Sequence, residues 1–423
     1  MDHALQHETP SIDGAPPQRI AWCANPVIEW LLTEAWSIAE PGELFAAYGA
    51  RLAVEGVPLM RLMCFIRTLH PQVIGTRYEW RRERGTTEEF SPPHRVTESR
   101  QYTESPMAAL FEDGAAAIRR RLEGVGEIDY PILEELAAEG VTDYVALPLV
   151  FSDGTINAIT FSSDRSGGFS TAELELVYDS IAVLARLVET HTLRRTARTL
   201  METYVGRQAG SRVLDGLVKL GDGEKIHAVI WFCDLRDSTE LAENLPMEEF
   251  LELLNDFFAC MAGAVMDHDG EVLRFIGDAA LAIFPIDRAD HPLDEACTPL
   301  EGTCARSLEA ARDARARVKR INLKRQDRGQ RPIEYGLALH VGDVMYGNIG
   351  VPERLEFTVI GSAANEAARI EALSRELGHS ILISGEFSRC FGGQIVSLGR
   401  HRLRGVGGPQ EIFTLSDEGI ITW

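Results

Sequence analysis

The sequence predicts an α+β protein in which two sheet-bearing regions are joined by a long helix. Apolar runs of strand length occur on both sides of residues 170–221. Turn pairs such as Asp153-Gly154 and Gly277-Asp278 fold those runs into hairpins. Between the two regions, Leu174, Val177, Ile181, Leu184, Leu187 and Val188 form one helical stripe. A chain of 423 residues has room for two or three domains.

Residues 1–18 read as a disordered lead-in, because they are polar and carry Pro10, Pro16 and Pro17. Residues 19–169 form the first folded region. NPVIEWLLTEAWSIAE and ELFAAYGARLAVEG have helical spacing, VPLMRLMCFIRTL and VIGTRYEWRR read as strands, and DYVALPLVFSDGTINAITFSS reads as a hairpin. Residues 170–221 form a connecting helix that opens on a Ser/Thr cap with Glu173 and Glu175 in its first turn. Two readings of this helix stand: pairing with its copy in a dimer, or packing on its own domain.

Residues 222–418 form the second folded region. KIHAVIWFCDL is a strand, MEEFLELLNDFFACMAGAVMDHD a helix, and EVLRFI, Gly277-Asp278 and AALAIFP a hairpin. A basic helix covers about 299–325, its charges read as a solvated outer face over an inner stripe of Ala305, Leu308, Ala311, Val318 and Ile321. Another hairpin is expected about Gly342-Asp343, followed by a strand, a helix and closing strands. The core order β-α-β-β-α-β is that of a ferredoxin-like antiparallel sheet with helices on one face.

Composition narrows the function. An apolar fraction of 45% and a charged fraction of 25% describe an ordinary globular chain. Forty-two basic against 64 acidic residues give a formal charge of −22, which argues against nucleic acid or anionic lipid as a partner. Seven cysteines stand singly without a C-x-x-C pair, as expected of reduced thiols in a cytoplasmic protein. No run of 18 apolar residues and no basic, apolar leader is present, so neither a membrane span nor export is expected.

Several residues are placed to do chemistry. Asp234 ends an apolar strand and is costly to bury unless a positive charge meets it. Asp278 lies at the tip of the next hairpin, adjacent in a β-α-β fold, so the two carboxylates converge. A pair of carboxylates without histidine or thiolate favours a hard cation, Mg²⁺ or Mn²⁺. Ser238 and Thr239 read as helix caps whose neighbouring N–H groups suit phosphate. Asn365 and Arg369 are four apart on one helix face, where amide and guanidinium meet developing charge. Each of these features taken alone also has a plain structural explanation, such as a turn, a cap or an exposed polar stripe.

WFCDLRDST, EVLRFIGDAALAIFP, LALHVGDVMYGNIG, EFTVIGSAANEAARI and HRLRGVGGPQEIFTL together resemble, in order and spacing, the class III nucleotide cyclase catalytic domain. The resemblance implies that Asp234, Asp278 and the Leu235 carbonyl bind two metal ions per active site. It implies that Asn365 and Arg369 orient the ribose and stabilise the transition state, and that Arg404 stands where the family usually has a phosphate-binding lysine. Each site would form between two catalytic domains, so this chain is expected to act as a homodimer on ATP or GTP. The ribose 3′-hydroxyl would attack the α-phosphate, releasing pyrophosphate.

Arg274 and Thr358 occupy the base-reading positions. Thr358 fits a bacterial adenylate cyclase subgroup, whereas Arg274 replaces the usual lysine with a fork that also suits guanine. No acid is present to accept from guanine N1 and N2, so the expected product is 3′,5′-cyclic AMP. Cyclic GMP is the alternative, and a catalytically silent nucleotide-binding homologue is the alternative from another class. Residues 19–190 resemble a GAF-type sensor in element order, which implies a small-molecule signal acting through the connecting helix. Against this stands a dimerisation module without a ligand.

Overall fold

A computed structural model describes residues 25–112, 114–124, 128–286, 299–390 and 395–416. The expected lead-in at 1–18 lies outside them. The chain divides into two compact units, Met1–Ala197 and Arg198–Trp423.

The first unit opens with α1 (Pro26–Thr33) and α2 (Pro41–Val54), followed by strands β1 (Arg61–Arg67), β2 (Gly75–Arg81) and β3 (Thr87–Phe90). After α3 (Arg100–Thr103) and α4 (Pro106–Phe111) come β4 (Ile118–Arg121), α5 (Pro131–Ala138), β5 (Asp143–Val150) and β6 (Ile156–Ser163). The six strands form one antiparallel sheet in the order β3-β2-β1-β6-β5-β4. The short strands β3 and β4 and the helices α3 to α5 carry too few periodic residues to be seen in the sequence.

The helix α6 (Thr171–Tyr204) begins as expected. Val177, Ile181, Leu184 and Val188 are buried with Leu44, Phe45 and Tyr48 of α2 in the core of the first unit. That part of the stripe is therefore consumed by its own unit, which realises the second of the two readings. The expected continuous helix to residue 221 is broken: α6 ends at Tyr204, Gly206 takes φ 104°, and α7 (Arg207–Leu214) starts anew.

In the second unit, β7 (Gly223–Leu235) leads through α8 (Ser238–Asn244) and α9 (Met247–Asp267) to β8 (Glu271–Ile276) and β9 (Ala279–Pro285). Then follow α10 (Pro299–Asp327), β10 (Tyr335–Val351), β11 (Arg354–Ile360), α11 (Ser362–Glu371), α12 (Ser374–Leu377), β12 (Ile381–Ser384), α13 (Gly385–Ser388), β13 (Ile395–Arg402) and β14 (Pro409–Leu415). The run β10-β7-β9-β8, which ends the sheet, has the ferredoxin-like order.

Three expectations are corrected here. Gly342-Asp343 is no hairpin: β10 runs straight through, with Gly342 opposite Ala228 and Asp343 opposite His227. Gly342 is needed for close packing, since a Cβ there would stand 2.6 Å from that of Ala363 on α11. Nor do the helices share one face. Val229, Trp231 and Cys233 face α9 and α10, whereas Ala228 and Ile230 face Ala363 and Ala367 of α11. The basic helix is also not solvated throughout, because Arg325 is 1% exposed and pairs with Asp256 at 2.9 Å.

One ion pair fixes the end of β7. Arg236 donates to Glu371 Oε1 at 2.7 Å, both side chains being largely buried, and the pair crosses over Gly336 of β10. A methyl group at Gly336 would overlap both partners. Gly336→Ala is expected to cost about 1–3 kcal/mol of unfolding free energy, as overpacking does. Gly408→Ala, with nothing within 4 Å, is the control and should change little in the same denaturant titration.

In the first unit, Glu79 accepts from Arg61 at 2.7 Å and from Arg81 at 2.8 Å. Burial alone would raise its pKa, but the two guanidinium groups lower it from 4.5 to about 2. Folded chains therefore bind this proton less readily than unfolded ones, so the stabilisation is complete above 4.5 and lost as pH falls towards about 2. Glu79→Gln should lower stability by roughly 2–3 kcal/mol at neutral pH. In denaturant titrations across pH, the gap from the parent should narrow below pH 4.5, and a constant gap would contradict this account.

Candidate active site

The register of the sheet brings the two expected carboxylates together. Asp234 on β7 lies opposite Ala279, the first residue after Asp278 and Gly277, whose φ of 64° makes the tight turn. The Leu235 N–H donates to the Asp278 carbonyl at 3.3 Å. Asp234 is half-buried, and burial, then the charges of Asp278 and Glu371, hold its carboxyl well above the usual carboxylate range. One oxygen, Oδ1, is buried without any hydrogen-bond partner.

An orphaned anionic oxygen beside a second carboxylate is what a divalent cation satisfies. Asp234, Asp278 and the carbonyl of Leu235 are the donors that would hold it. Oxygen donors alone fit a hard ion rather than zinc or copper. Among the described residues, no cluster of three or more His, Cys, Asp and Glu side chains is arranged around a metal position.

Asn365 and Arg369 project elsewhere. On α11, Ala363, Ala367 and Ile370 are buried towards the sheet, while Asn365 is exposed and Arg369 half-exposed. The Arg369 guanidinium lies beside Gly405, next to the exposed Arg404. Among the described residues, no hydrogen bond or ion pair joins Asn365 or Arg369 to Asp234 or Asp278. Two polar groupings thus stand on the chain: a pair of carboxylates at the end of β7, and an amide and two guanidinium groups about α11.

Ser238 and Thr239 are not caps. Asp237, in the left-handed region at φ 52°, occupies the N-cap position of α8 without a capping side-chain bond, and Ser238 and Thr239 fall in the first turn. Their hydroxyls are still near the end of β7, and the first-turn N–H groups remain without partners inside the helix.

Arg274 and Thr358 do come to one region. Arg274 donates to Glu356 at 3.0 Å, and Glu356 is two residues before Thr358 on β11. Arg274 Nε and Thr358 Oγ1 are both buried without a partner. Glu356 was missed by sequence reasoning because it is 82 residues from Arg274. Arg236 and Glu371 were missed for the same reason, being 135 apart.

Residues 223–417 match the adenylate and guanylate cyclase catalytic domain family. An uncharacterized protein of Mycobacterium tuberculosis is 33% identical over 205 residues, 48% of this chain and 33% of its own length. An adenylate cyclase of Anabaena cylindrica is 32% identical over 171 residues, 40% of this chain and 31% of its own. The guanylyl cyclase Cya2 is 26% identical, covering 47% of this chain and 95% of that chain with a TM-score of 0.40. The chain spans about a third of the length of the curated relatives it matches. Its second unit therefore contains a class III adenylate/guanylate cyclase catalytic domain, over residues 223–417.

Proposed function

We propose that the chain is a homodimeric nucleotide cyclase that converts ATP into 3′,5′-cyclic AMP and pyrophosphate. The observation that supports this reading is that, among the described residues, no hydrogen bond or ion pair joins the two carboxylates to Asn365 or Arg369 of the same chain. Asp234 and Asp278 converge with an unmatched oxygen, while Asn365 and Arg369 face outward on another helix. A second copy related by a two-fold axis supplies what each half lacks, and does so twice.

In such a site Asp234, Asp278 and the Leu235 carbonyl hold Mg²⁺ or Mn²⁺, which when bound supply charge that acidifies the ribose 3′-hydroxyl and hold the triphosphate. The backbone N–H groups at Ser238 and Thr239 meet phosphate oxygens. From the partner, Asn365 orients the ribose and Arg369 offsets charge gathering at the α-phosphorus as the 3′-oxygen attacks in line. Arg404, carried next to Arg369, meets the outer phosphates. Arg274 and Thr358, each with a buried polar atom awaiting a partner, read the purine edge.

GTP is the second reading, and Glu356 favours it. A carboxylate 3.0 Å from Arg274 supplies the acceptor that guanine N1 and N2 require, which the two base-reading positions themselves lack. For the first unit, we propose a GAF-like sensor that answers a small-molecule signal. Its antiparallel sheet, covered by α2 and α6 on one face and by α4 and α5 on the other, is in keeping with that reading. No described helix is long and apolar enough to cross a membrane.

Asp278→Ala and Arg369→Ala should each abolish cyclic nucleotide formation from ATP or GTP with Mn²⁺, while leaving the chain folded. Mixing the two inactive proteins should restore about a quarter of the parent activity, because half of the dimers then contain one intact site. Silence in the mixture would mean that the sites are not shared between chains. The product formed by the parent protein, cyclic AMP or cyclic GMP, decides the base.

A further inference from the structure

Strand β8, which carries Arg274, begins with a carboxylate that is 4% exposed, Glu271. Burying such a group is costly unless both oxygens are matched. Both are. Oε1 accepts the backbone N–H of Ala209 at 2.8 Å, and Oε2 accepts the hydroxyl of Tyr346 at 2.7 Å.

Ala209 is the third residue of α7, where a backbone N–H has no partner inside the helix. A side chain 62 residues further along the chain therefore caps α7. The chain enters that helix through Gly206, where a Cβ would be 3.3 Å from the carbonyl oxygen of Val272 on β8. Tyr346 is held in its turn, edge-on to Phe357 at 4.7 Å and under the guanidinium of Arg212 of α7 at 5.0 Å.

What is fixed at Glu271 bears on Arg274. β8 is the last strand in the order of the sheet and is paired with β9 alone, with a bulge between Val272 and Arg274. Past the bulge, Phe275 and Ile276 are exposed. Residues 204–208, Glu271, Arg274 and Glu356 line one cavity of about 1000 Å³.

We propose that Glu271 is a positioning residue for nucleotide recognition: by joining α7 to β10 it sets where β8 presents Arg274 to the purine. The inference rests on the base-reading role given to Arg274 above. It assigns α7 a direct hold on substrate recognition within the second unit.

The test uses the full chain with ATP and Mn²⁺, and with GTP and Mn²⁺. Glu271→Leu keeps the volume but removes both acceptors, and should raise KM at least 5-fold for the preferred nucleotide with kcat within about 2-fold. Glu271→Gln, which can still accept from Ala209 and donate to the Tyr346 oxygen, should restore most of the parent KM. Tyr346→Phe, which removes one bond only, should fall between and guards against misfolding of the leucine variant.

In an Arg274→Ala background, Glu271→Leu should leave KM unchanged, because its effect passes through Arg274. Multiplying effects in the double variant, or a loss of kcat at constant KM, would overturn the proposal. Hydrogen exchange without nucleotide separates its failure from that of the cyclase reading. Glu271→Leu should speed exchange at both 207–214 and 272–276 whether or not the protein turns over, and unaltered exchange at 272–276 would also overturn it.

Discussion

Two like charges held together at the end of a packed strand set the terms for the rest of the catalytic unit. Asp234 gains nothing from its neighbour in folding, since burial and the charge of Asp278 both oppose its ionisation. Their proximity is imposed by the backbone. The ladder between β7 and β9 aligns Asp234 with Ala279, and the positive φ of Gly277 turns Asp278 back towards it. The hydrophobic core beneath, with Trp231, Phe257 and Phe284 buried, stabilises that ladder and so offsets the cost of the site.

Around this point, each close approach has a particular residue behind it. Gly336 lets the Arg236–Glu371 pair cross β10, and Gly342 lets α11 lie against the sheet. The pair fastens the end of α11 to the residue two places after Asp234. The helix bearing Asn365 and Arg369 is thereby tied to the carboxylates of its own chain, although its outward face looks away from them. In a two-fold dimer the helix serving one site is thus anchored beside the other.

Much of this was legible in the sequence, for reasons that also explain what was not. The central strands are long, apolar and β-branched, so β7, β8, β9 and the flanking helices announce themselves by period. The two Gly-Asp pairs mark the limit. Gly277-Asp278 is a turn and Gly342-Asp343 is mid-strand, yet the local residues are the same. Only the neighbour decides: Gly277 has open space about it, while Gly342 has Ala363 against it. Ser238 and Thr239 were read as caps by residue type, but the left-handed Asp237 moved the helix start by one place. Contacts between distant residues left no trace in spacing. Glu356 beside Arg274 and Glu371 beside Arg236 depend on which strands and helices become neighbours, and single-sequence periodicity does not report that.

The ties between residues 198–221 and the sheet are polar as well as apolar, Ala209, Val205 and Val213 packing in a cluster with the strands. Beyond the two bonds at Glu271, Asn348 of β10 donates to the carbonyls of Leu217 at 2.8 Å and Lys219 at 3.3 Å. Hydrogen bonds to a charged group are each worth about 1.5–3 kcal/mol net and neutral ones about 1 kcal/mol. The hold therefore amounts to several kcal/mol, while moving a two-state equilibrium from 1:99 to 99:1 takes about 5.5 kcal/mol. Freeing α7 would leave the Glu271 carboxylate unmatched in the interior, which makes its two bonds costly to break.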